Sequence, residues 1–131
     1  MKGICLDTGA LIHLVEKRAL SMRKVFDTAA TARVPMHVST AVIAEWWREG
    51  RGEKDRARWL RSMCIESVTE PIGRLAGVAM GRLGSGNTID AIVLATAALR
   101  GDSVVYTSDL KDLEALREGV AEFAHLQIEH A

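Results

Sequence analysis

The sequence is poor in cysteine and proline, and its charge is balanced. The two cysteines, Cys5 and Cys64, form no CxxC pair, and Cys5 lies in an apparent core strand, so we expect reduced thiols rather than a disulfide. Lys+Arg and Asp+Glu number 17 each, so overall charge neither favours nor excludes a polyanionic partner. The longest apolar stretch, 89–99, contains Asp90 and is too short to cross a bilayer. The residues before Asp7 are too few for a signal peptide, so we expect a soluble, cytoplasmic protein with no membrane partner.

Length and periodicity predict the fold class. The 131 residues, 48% of them hydrophobic, suit one domain over 1–131 with a real core. Short β-branched runs predict strands at 2–6, 36–38, 65–68, 103–106 and 126–128. Helical spacing predicts helices at 8–17, 22–29, 41–47, 53–63, 71–83, 88–99 and 109–117, with Ser21, Ser39 or Thr40, and Thr88 as N-caps. This alternation is typical of α/β proteins, and we predict three α/β/α layers around a mostly parallel sheet.

Four acidic residues lie beside apolar segments of the chain. They are Asp7 in ICLDTGALI, Glu45 in AVIAEWWRE, Asp90 in NTIDAIVLATAAL and Asp109 in VVYTSDLKDL. A carboxylate beside apolar residues is costly unless it is paired, hydrogen-bonded or bound to a cation. If the fold brings the four together, their repulsion requires protons or divalent metal ions. An all-oxygen site favours Mg²⁺ or Mn²⁺ over zinc, and the four histidines show no HExxH spacing, so the pattern suggests a metal-dependent phosphate-ester hydrolase.

The positions of these acids in the predicted fold determine whether they can meet. In open parallel sheets, functional groups gather beyond the carboxyl ends of the strands. Asp7 follows the first strand and Asp109 the fourth, so they share a crevice if these strands are neighbours, and Glu45 can lean over it from the helix after the second strand. Asp90 begins the helix that leads into the fourth strand. We expect it near the opposite strand ends unless the preceding loop returns it to the crevice, so its position stays open.

These motifs together resemble a known family. LDTGALI, the VIAEWW helix, TIDAIVLATA and YTSDLKDL are similar, in order and approximate spacing, to segments of PIN-domain ribonucleases, and more narrowly to VapC-type toxins of VapBC toxin–antitoxin pairs. The resemblance implies that Asp7, Glu45, Asp90 and Asp109 form a catalytic cluster that binds Mg²⁺ or Mn²⁺ and cleaves RNA. It also implies that the Asp90 counterpart reaches the crevice, and that Thr8 helps to arrange a metal-bound water. It further implies a homodimer and a small VapB-like antitoxin partner, with the second to fourth helices exposing apolar surface. Ser108 and Asp112 are possible accessory residues.

Each acid also has a simpler structural interpretation. Asp7 is a preferred N-cap for the following helix, and Glu45 is common on exposed helix faces. Asp90, Asp109 and Asp112 could each complement a helix dipole from the first turn, which is worth roughly 0.3–1 kcal/mol. For Asp112 the two interpretations are equally favoured, but four coincident caps explain the pattern less well than one site does.

Other features leave alternatives open. The densest basic region is either a solvated helical face or an RNA-backbone surface with salt-dependent binding, and it comprises Arg48, Arg51, Lys54, Arg56, Arg58 and Arg61. The three tryptophans are expected to pack in the core, or else to line a groove for another subunit or partner. Two further functions remain: a catalytically silent PIN-like module that binds a peptide or RNA, and a small phosphotransfer or phosphatase domain. The phosphotransfer interpretation is disfavoured because no lysine follows the fourth strand until Lys111.

Overall fold

The computed structural model describes residues 2–131, and its centre is a five-stranded sheet in which every strand is parallel to its neighbours. The strands lie in the order β3-β2-β1-β4-β5. They are β1 (Ile4–Leu6), β2 (Met36–Ser39), β3 (Cys64–Glu66), β4 (Val104–Thr107) and β5 (Gln127–His130). The chain thus runs outward from β1 to β3, returns to the other side of β1, and ends at β5. The first and fourth strands are neighbours, with Ile4 opposite Val104, so the condition for Asp7 and Asp109 to share a crevice is met.

Helices cover both faces of the sheet, which confirms the three-layer α/β/α prediction. They are α1 (Thr8–Leu11), α2 (Leu20–Ala32), α3 (Thr40–Trp46), α4 (Glu53–Arg61), α5 (Glu70–Leu83), α6 (Thr88–Arg100) and α7 (Leu110–Glu118). After β3 the chain reverses its direction across the sheet, from the β3 side to the β4 and β5 side. Because crossovers between parallel strands are right-handed, α1 to α4 lie on one face and α5 to α7 on the other. A π-helical segment, Ile12–Glu16, extends α1, and a 3₁₀ turn, Ala121–Phe123, precedes β5. Among residues 2–131, no helix combines the length and the apolar character needed to cross a membrane.

Helix α6 is the central element of the core. It buries five apolar side chains completely, and they are Ala91, Val93, Leu94, Ala95 and Ala97. The small residues let α6 lie close to the sheet, where the Cys5 sulfur is 3.9 Å from the Val93 carbonyl oxygen. Because α6 leads into β4 through a short turn, it runs antiparallel to that strand, and its first turn lies at the carboxyl edge of the sheet. Asp90, whose position sequence reasoning left open between the two ends of the sheet, therefore lies at the carboxyl edge, as the family resemblance implied.

The local boundaries correct three predictions. Helix α2 begins at Leu20, after Ala19, so Ser21 is not its cap. Helix α6 is capped by Asn87 rather than Thr88, whereas Ser39 caps α3 as predicted. The third strand is Cys64–Glu66, two residues shorter at its C-terminal end than predicted. For the helices, the backbone of the residue before the first turn, rather than its residue type alone, decides which side chain can reach the free amides.

An apolar groove of about 490 Å³ lies between α2 and the neighbouring β1 and β4. We call it the α2 groove; its apolar lining comprises Ile4, Val25, Ala29, Ala32, Val34 and Tyr106. Leu20, at the start of α2, is 86% exposed, but no large hydrophobic side chain of α3 or α4 is among the exposed ones in the described part of the chain. The expected apolar surface is therefore concentrated on α2.

Candidate active site

A pocket of about 220 Å³ opens at the carboxyl edge of the sheet, where β1, β4, α3 and α6 meet. We call it the acidic pocket; it is lined by Asp7, Thr8, Gly9, Ile12, Glu45, Asn87, Ile89, Asp90, Ser108 and Asp109. The structure therefore brings all four acids singled out in the sequence to one place. It also brings Thr8 and Ser108 there. Asp112 lies beside the pocket, within reach of two of its acids.

Asp7 is fixed by two hydrogen bonds. Its Oδ1 accepts from the Ala10 backbone N–H at 2.8 Å, so it does cap α1, and its Oδ2 accepts from the Thr107 hydroxyl at 2.5 Å. The residue is 4% exposed. Burial raises the pKa of the Asp7 carboxyl, the two hydrogen bonds oppose that rise, and the charges of Asp109 and Glu45 add to it. Oδ1 thus caps α1, as the structural interpretation expects, while Asp7 also lines the acidic pocket with Oδ2 held by Thr107.

Thr107 is a site residue that sequence reasoning missed. It is the last residue of β4, and its side chain is completely buried beneath the pocket. Its hydroxyl donates to Asp7 and accepts from the Asp109 backbone N–H at 2.8 Å. One hydroxyl thereby sets the positions of acids from two neighbouring strands. Thr107 directly follows the predicted fourth strand and lies two residues before Asp109, which is the sequence signal that could have identified it.

Asp90 is buried close to four other carboxylates. It is 8% exposed, and burial, followed by the charges of Asp109, Asp7, Asp112 and Glu45, raises its pKa from 3.8 to about 7. The first turn of α6, which carries Asp90, is capped by Asn87. The Asn87 side-chain oxygen accepts hydrogen bonds from the backbone N–H groups of Ile89 and Asp90, at 2.8 and 3.1 Å. Sequence reasoning missed Asn87 because it assigned the cap to the adjacent threonine.

Asp109 and Asp112 are exposed at the start of α7. Asp109 occupies the N-cap position of α7, but its side chain makes no capping hydrogen bond, so it is free to face the pocket. One carboxylate oxygen from each of Asp90, Asp109 and Asp112 lies within 4.8 Å of the others. Asp112 thus lies in the first turn of α7, beside the acidic pocket.

Glu45 approaches from the opposite side of the pocket. It is exposed in the last turn of α3, and its Oε1 accepts from the Thr8 hydroxyl at 2.5 Å. Close packing of α1 against the loop after β4 narrows the pocket between these groups. A Cβ on Gly9 would lie 1.8 Å from the Ser108 hydroxyl oxygen, so only glycine allows this approach.

The donor set fits a hard divalent cation. All the charged groups that line the acidic pocket are carboxylates, and its described lining includes no lysine or arginine. Burial, followed by the charges of neighbouring carboxylates, raises the pKa of Asp90, and burial raises the pKa of Asp7 against two hydrogen bonds. Oxygen ligands of this kind suit Mg²⁺ or Mn²⁺.

The histidines lie outside this pocket. His37 bonds through Nδ1 to buried Asp102 at 2.8 Å, and Glu66 pairs with both His37 and Arg100; none of these residues lines the acidic pocket. Burial raises the pKa of Asp102, and the neighbouring His37 opposes that rise. No histidine is among the described residues that line the acidic pocket.

Comparison with known proteins identifies the family. Residues 4–118 match the sequence profile of the PIN domain, so the chain belongs to the PIN domain family. PIN domains are generally nucleases that use divalent metal ions. A search of curated proteins finds no significant sequence match.

Solved structures with the same fold include chains from three complexes. A chain of VapBC from Salmonella typhimurium bound to DNA superposes with a TM-score of 0.75 and 17% identity, covering 99% of this chain and 98% of that one. A chain of VapBC2 from Rickettsia felis, bound to a DNA fragment from their promoter, gives 0.73 and 16%, covering 98% of each chain. A chain of FitAB bound to the IR36 DNA fragment gives 0.72 and 15%, covering 97% and 94%. At these identities the similarity establishes the fold.

Proposed function

We propose that this protein is a metal-dependent endoribonuclease that hydrolyses RNA phosphodiester bonds. The observation that carries the proposal is the convergence of Asp7, Glu45, Asp90 and Asp109 on one pocket that has no basic side chain in its described lining. Such a cluster is unfavourable without a cation, as the raised pKa of Asp90 to about 7 indicates. A divalent ion bound by these carboxylates would offset their mutual repulsion, and a nuclease of this kind uses such an ion in its reaction.

The chain's own residues would hold the ion and orient the reacting groups. Asp7, Asp90 and Asp109 are the proposed ligands, with Glu45 as a further ligand or the holder of a coordinated water, and Asp112 close enough to join them. A divalent ion bound there supplies a Lewis acid that makes water more acidic and offsets charge on the phosphate. Thr107 keeps Asp7 and the Asp109 backbone in register, and Thr8 orients the Glu45 carboxylate.

RNA would reach this pocket across the segment that follows α3. Arg48, Arg51 and Lys54 are exposed there, only a few residues beyond Glu45. Other basic side chains of this region are already paired, since Arg58 bonds to Asp55 and Arg56 to Glu16. Because the chain carries no net charge, this local group would supply the attraction to phosphates, and binding should weaken steeply with salt.

We further propose that the protein is the toxin of a type II toxin–antitoxin pair, acts in the cytoplasm as a homodimer, and binds a VapB-like antitoxin. The proposal is supported by PIN family membership and by the fold shared with chains of VapBC and FitAB complexes. The α2 groove and exposed Leu20 supply an apolar surface suited to a protein partner.

The test is cleavage of a mixed RNA pool by wild-type protein with Mn²⁺, with EDTA, and by Asp7→Asn. We expect cleavage with Mn²⁺ only, and loss of cleavage in Asp7→Asn. Asp27→Asn, which changes an exposed acid on α2, is the matched control and should cleave normally. Cleavage that survives both EDTA and Asp7→Asn would refute the mechanism, and Mn²⁺ binding without cleavage would favour a catalytically silent module.

A further inference from the structure

Glu45 is the proposed site acid with the least local support. It lies in the last turn of the seven-residue helix α3, is exposed, and the chain turns extended at Trp47 directly after it. A negative charge at the C-terminal end of a helix is disfavoured by the helix dipole, and Glu45 also faces other carboxylates. Short helix ends fray, so a precise Glu45 position requires an anchor outside the helix.

The next residue, Trp46, supplies such an anchor. Its side chain is 4% exposed, and its indole Nε1–H donates to both carboxylate oxygens of Glu16, at 3.0 and 3.1 Å. Consecutive helical residues point about 100° apart, so the same turn directs Glu45 to the pocket and Trp46 to Glu16.

Both contacts reach one continuous run of helix. Thr8 is the first residue of α1 and holds Glu45, and Glu16 is the last residue of the π-helical segment and holds Trp46. The Lys17 N–H bonds to the Ile12 carbonyl at 2.9 Å, the five-residue step of a π turn, which changes the direction of Glu16 relative to a regular helix. The last turn of α3 is therefore held against this run at two points.

Arg56 of α4 completes the arrangement. Its Nε donates to Glu16 Oε1 at 3.1 Å, and its guanidinium lies 5.7 Å from the centre of the Trp46 ring. The Glu16 carboxylate thus accepts hydrogen bonds from two donors on separate helices, Trp46 on α3 and Arg56 on α4. The Glu16 side chain is only partly exposed. We call Glu16, Trp46 and Arg56 the indole clamp.

We propose that the indole clamp positions Glu45 for metal binding, so that Glu16 and Trp46 are positioning residues of the site. This inference rests on the proposed metal-dependent nuclease function. The clamp residues do not line the acidic pocket and touch neither metal nor RNA; they act only through the last turn of α3.

The test measures Mn²⁺ affinity by calorimetry alongside RNA cleavage at varied Mn²⁺ concentration. Trp46→Phe keeps the ring but removes the N–H donor, and Glu16→Gln replaces the shared charge with an amide. We expect each to weaken Mn²⁺ binding about 3- to 10-fold, near or below the usual effect of changing groups that orient metal ligands. Trp47→Phe, which alters the neighbouring tryptophan outside the clamp, should leave affinity unchanged.

The decisive comparison repeats the changes in a Glu45→Gln background. If the clamp acts through Glu45, Trp46→Phe and Glu16→Gln then cause no further loss of Mn²⁺ affinity. The same loss in both backgrounds, or no loss in either, overturns the inference. If Trp46→Phe does not fold, Glu16→Gln decides alone, because Glu16 is partly exposed. Failure of the wild-type protein to bind Mn²⁺ or cleave RNA would instead refute the proposed function.

Discussion

Asp90 should make the metal-free protein less stable as the pH rises. Its pKa is raised from 3.8 to about 7, chiefly by burial and then by Asp109 and Asp7, so the folded chain holds a proton that the unfolded chain releases. The free energy of unfolding therefore falls as the pH rises from about 4 to about 7. Asp90→Asn removes this titration and keeps the shape of the side chain.

The size of the effect follows from the shift. A change from 3.8 to about 7 corresponds to about 4 kcal/mol if the carboxyl were fully shielded. Because the pocket is open to solvent, we reduce this to about 1–2 kcal/mol. Asp90→Asn should therefore be more stable than wild type at pH 8 in EDTA, with a Tm about 3–10 °C higher. At pH 5, closer to the pKa of the unfolded carboxyl, the difference should be smaller.

The assay is thermal unfolding of both proteins at pH 5 and pH 8, with EDTA and with Mn²⁺. Wild type should gain about 2.7 kcal/mol at 100 times the Mn²⁺ dissociation constant, and Asp90→Asn should gain much less. Asp27→Asn on α2 controls for a general loss of negative charge. A gap between wild type and Asp90→Asn that is the same at both pH values, or a less stable Asp90→Asn at pH 8, would show that the Asp90 carboxyl is not held protonated.

Four further substitutions test other parts of the site and fold. Thr107→Val removes the hydroxyl that donates to Asp7 and should weaken Mn²⁺ binding about 10-fold in calorimetry. Asn87→Ala removes the α6 cap and should lower the free energy of unfolding in urea by about 1 kcal/mol. Gly77→Ala should raise that free energy by up to about 1 kcal/mol, since a Cβ there meets no atom within 4 Å. Gly9→Ala should abolish Mn²⁺ binding, since its Cβ would lie 1.8 Å from a serine hydroxyl oxygen.

Matched substitutions separate these effects from general damage. Thr96→Val removes a buried hydroxyl that bonds within α6, and an equal loss of Mn²⁺ affinity there would contradict the role given to Thr107. Thr88→Ala should change the free energy of unfolding much less than Asn87→Ala does. A larger loss in Thr88→Ala would show that Thr88, not Asn87, caps α6. Gly9→Ala that binds Mn²⁺ normally would mean that the loop after β4 moves aside without cost.

Much of the fold was accessible from the sequence because it depends on local periodicity. The alternation of β-branched runs and helices predicted a parallel sheet, and the acids that follow β1 and β4 predicted a shared edge. The position of Asp90 was left open by reasoning that overlooked helix direction. A helix that leads into a parallel strand begins at the edge where that strand ends, so its first turn belongs with Asp7 and Asp109.

Other features depend on contacts that no local pattern encodes. Asn87 and Thr88 are both good caps, and the choice between them rests on which backbone is extended before α6. The Glu16–Trp46 contact joins residues 30 positions apart through a π turn that the periodicity does not show. Whether Asp112 binds metal stays a prediction, although its carboxylate lies within reach of Asp90 and Asp109.

The strand order has a consequence for the protein during its synthesis. β1 is synthesised before β4, one of its two partners, which lies about 100 residues later in the chain. Any product that stops before Thr107 lacks both the hydroxyl that fixes Asp7 and the acid supplied by α7. A growing or prematurely terminated polypeptide that lacks β4 and α7 therefore has no assembled acidic pocket.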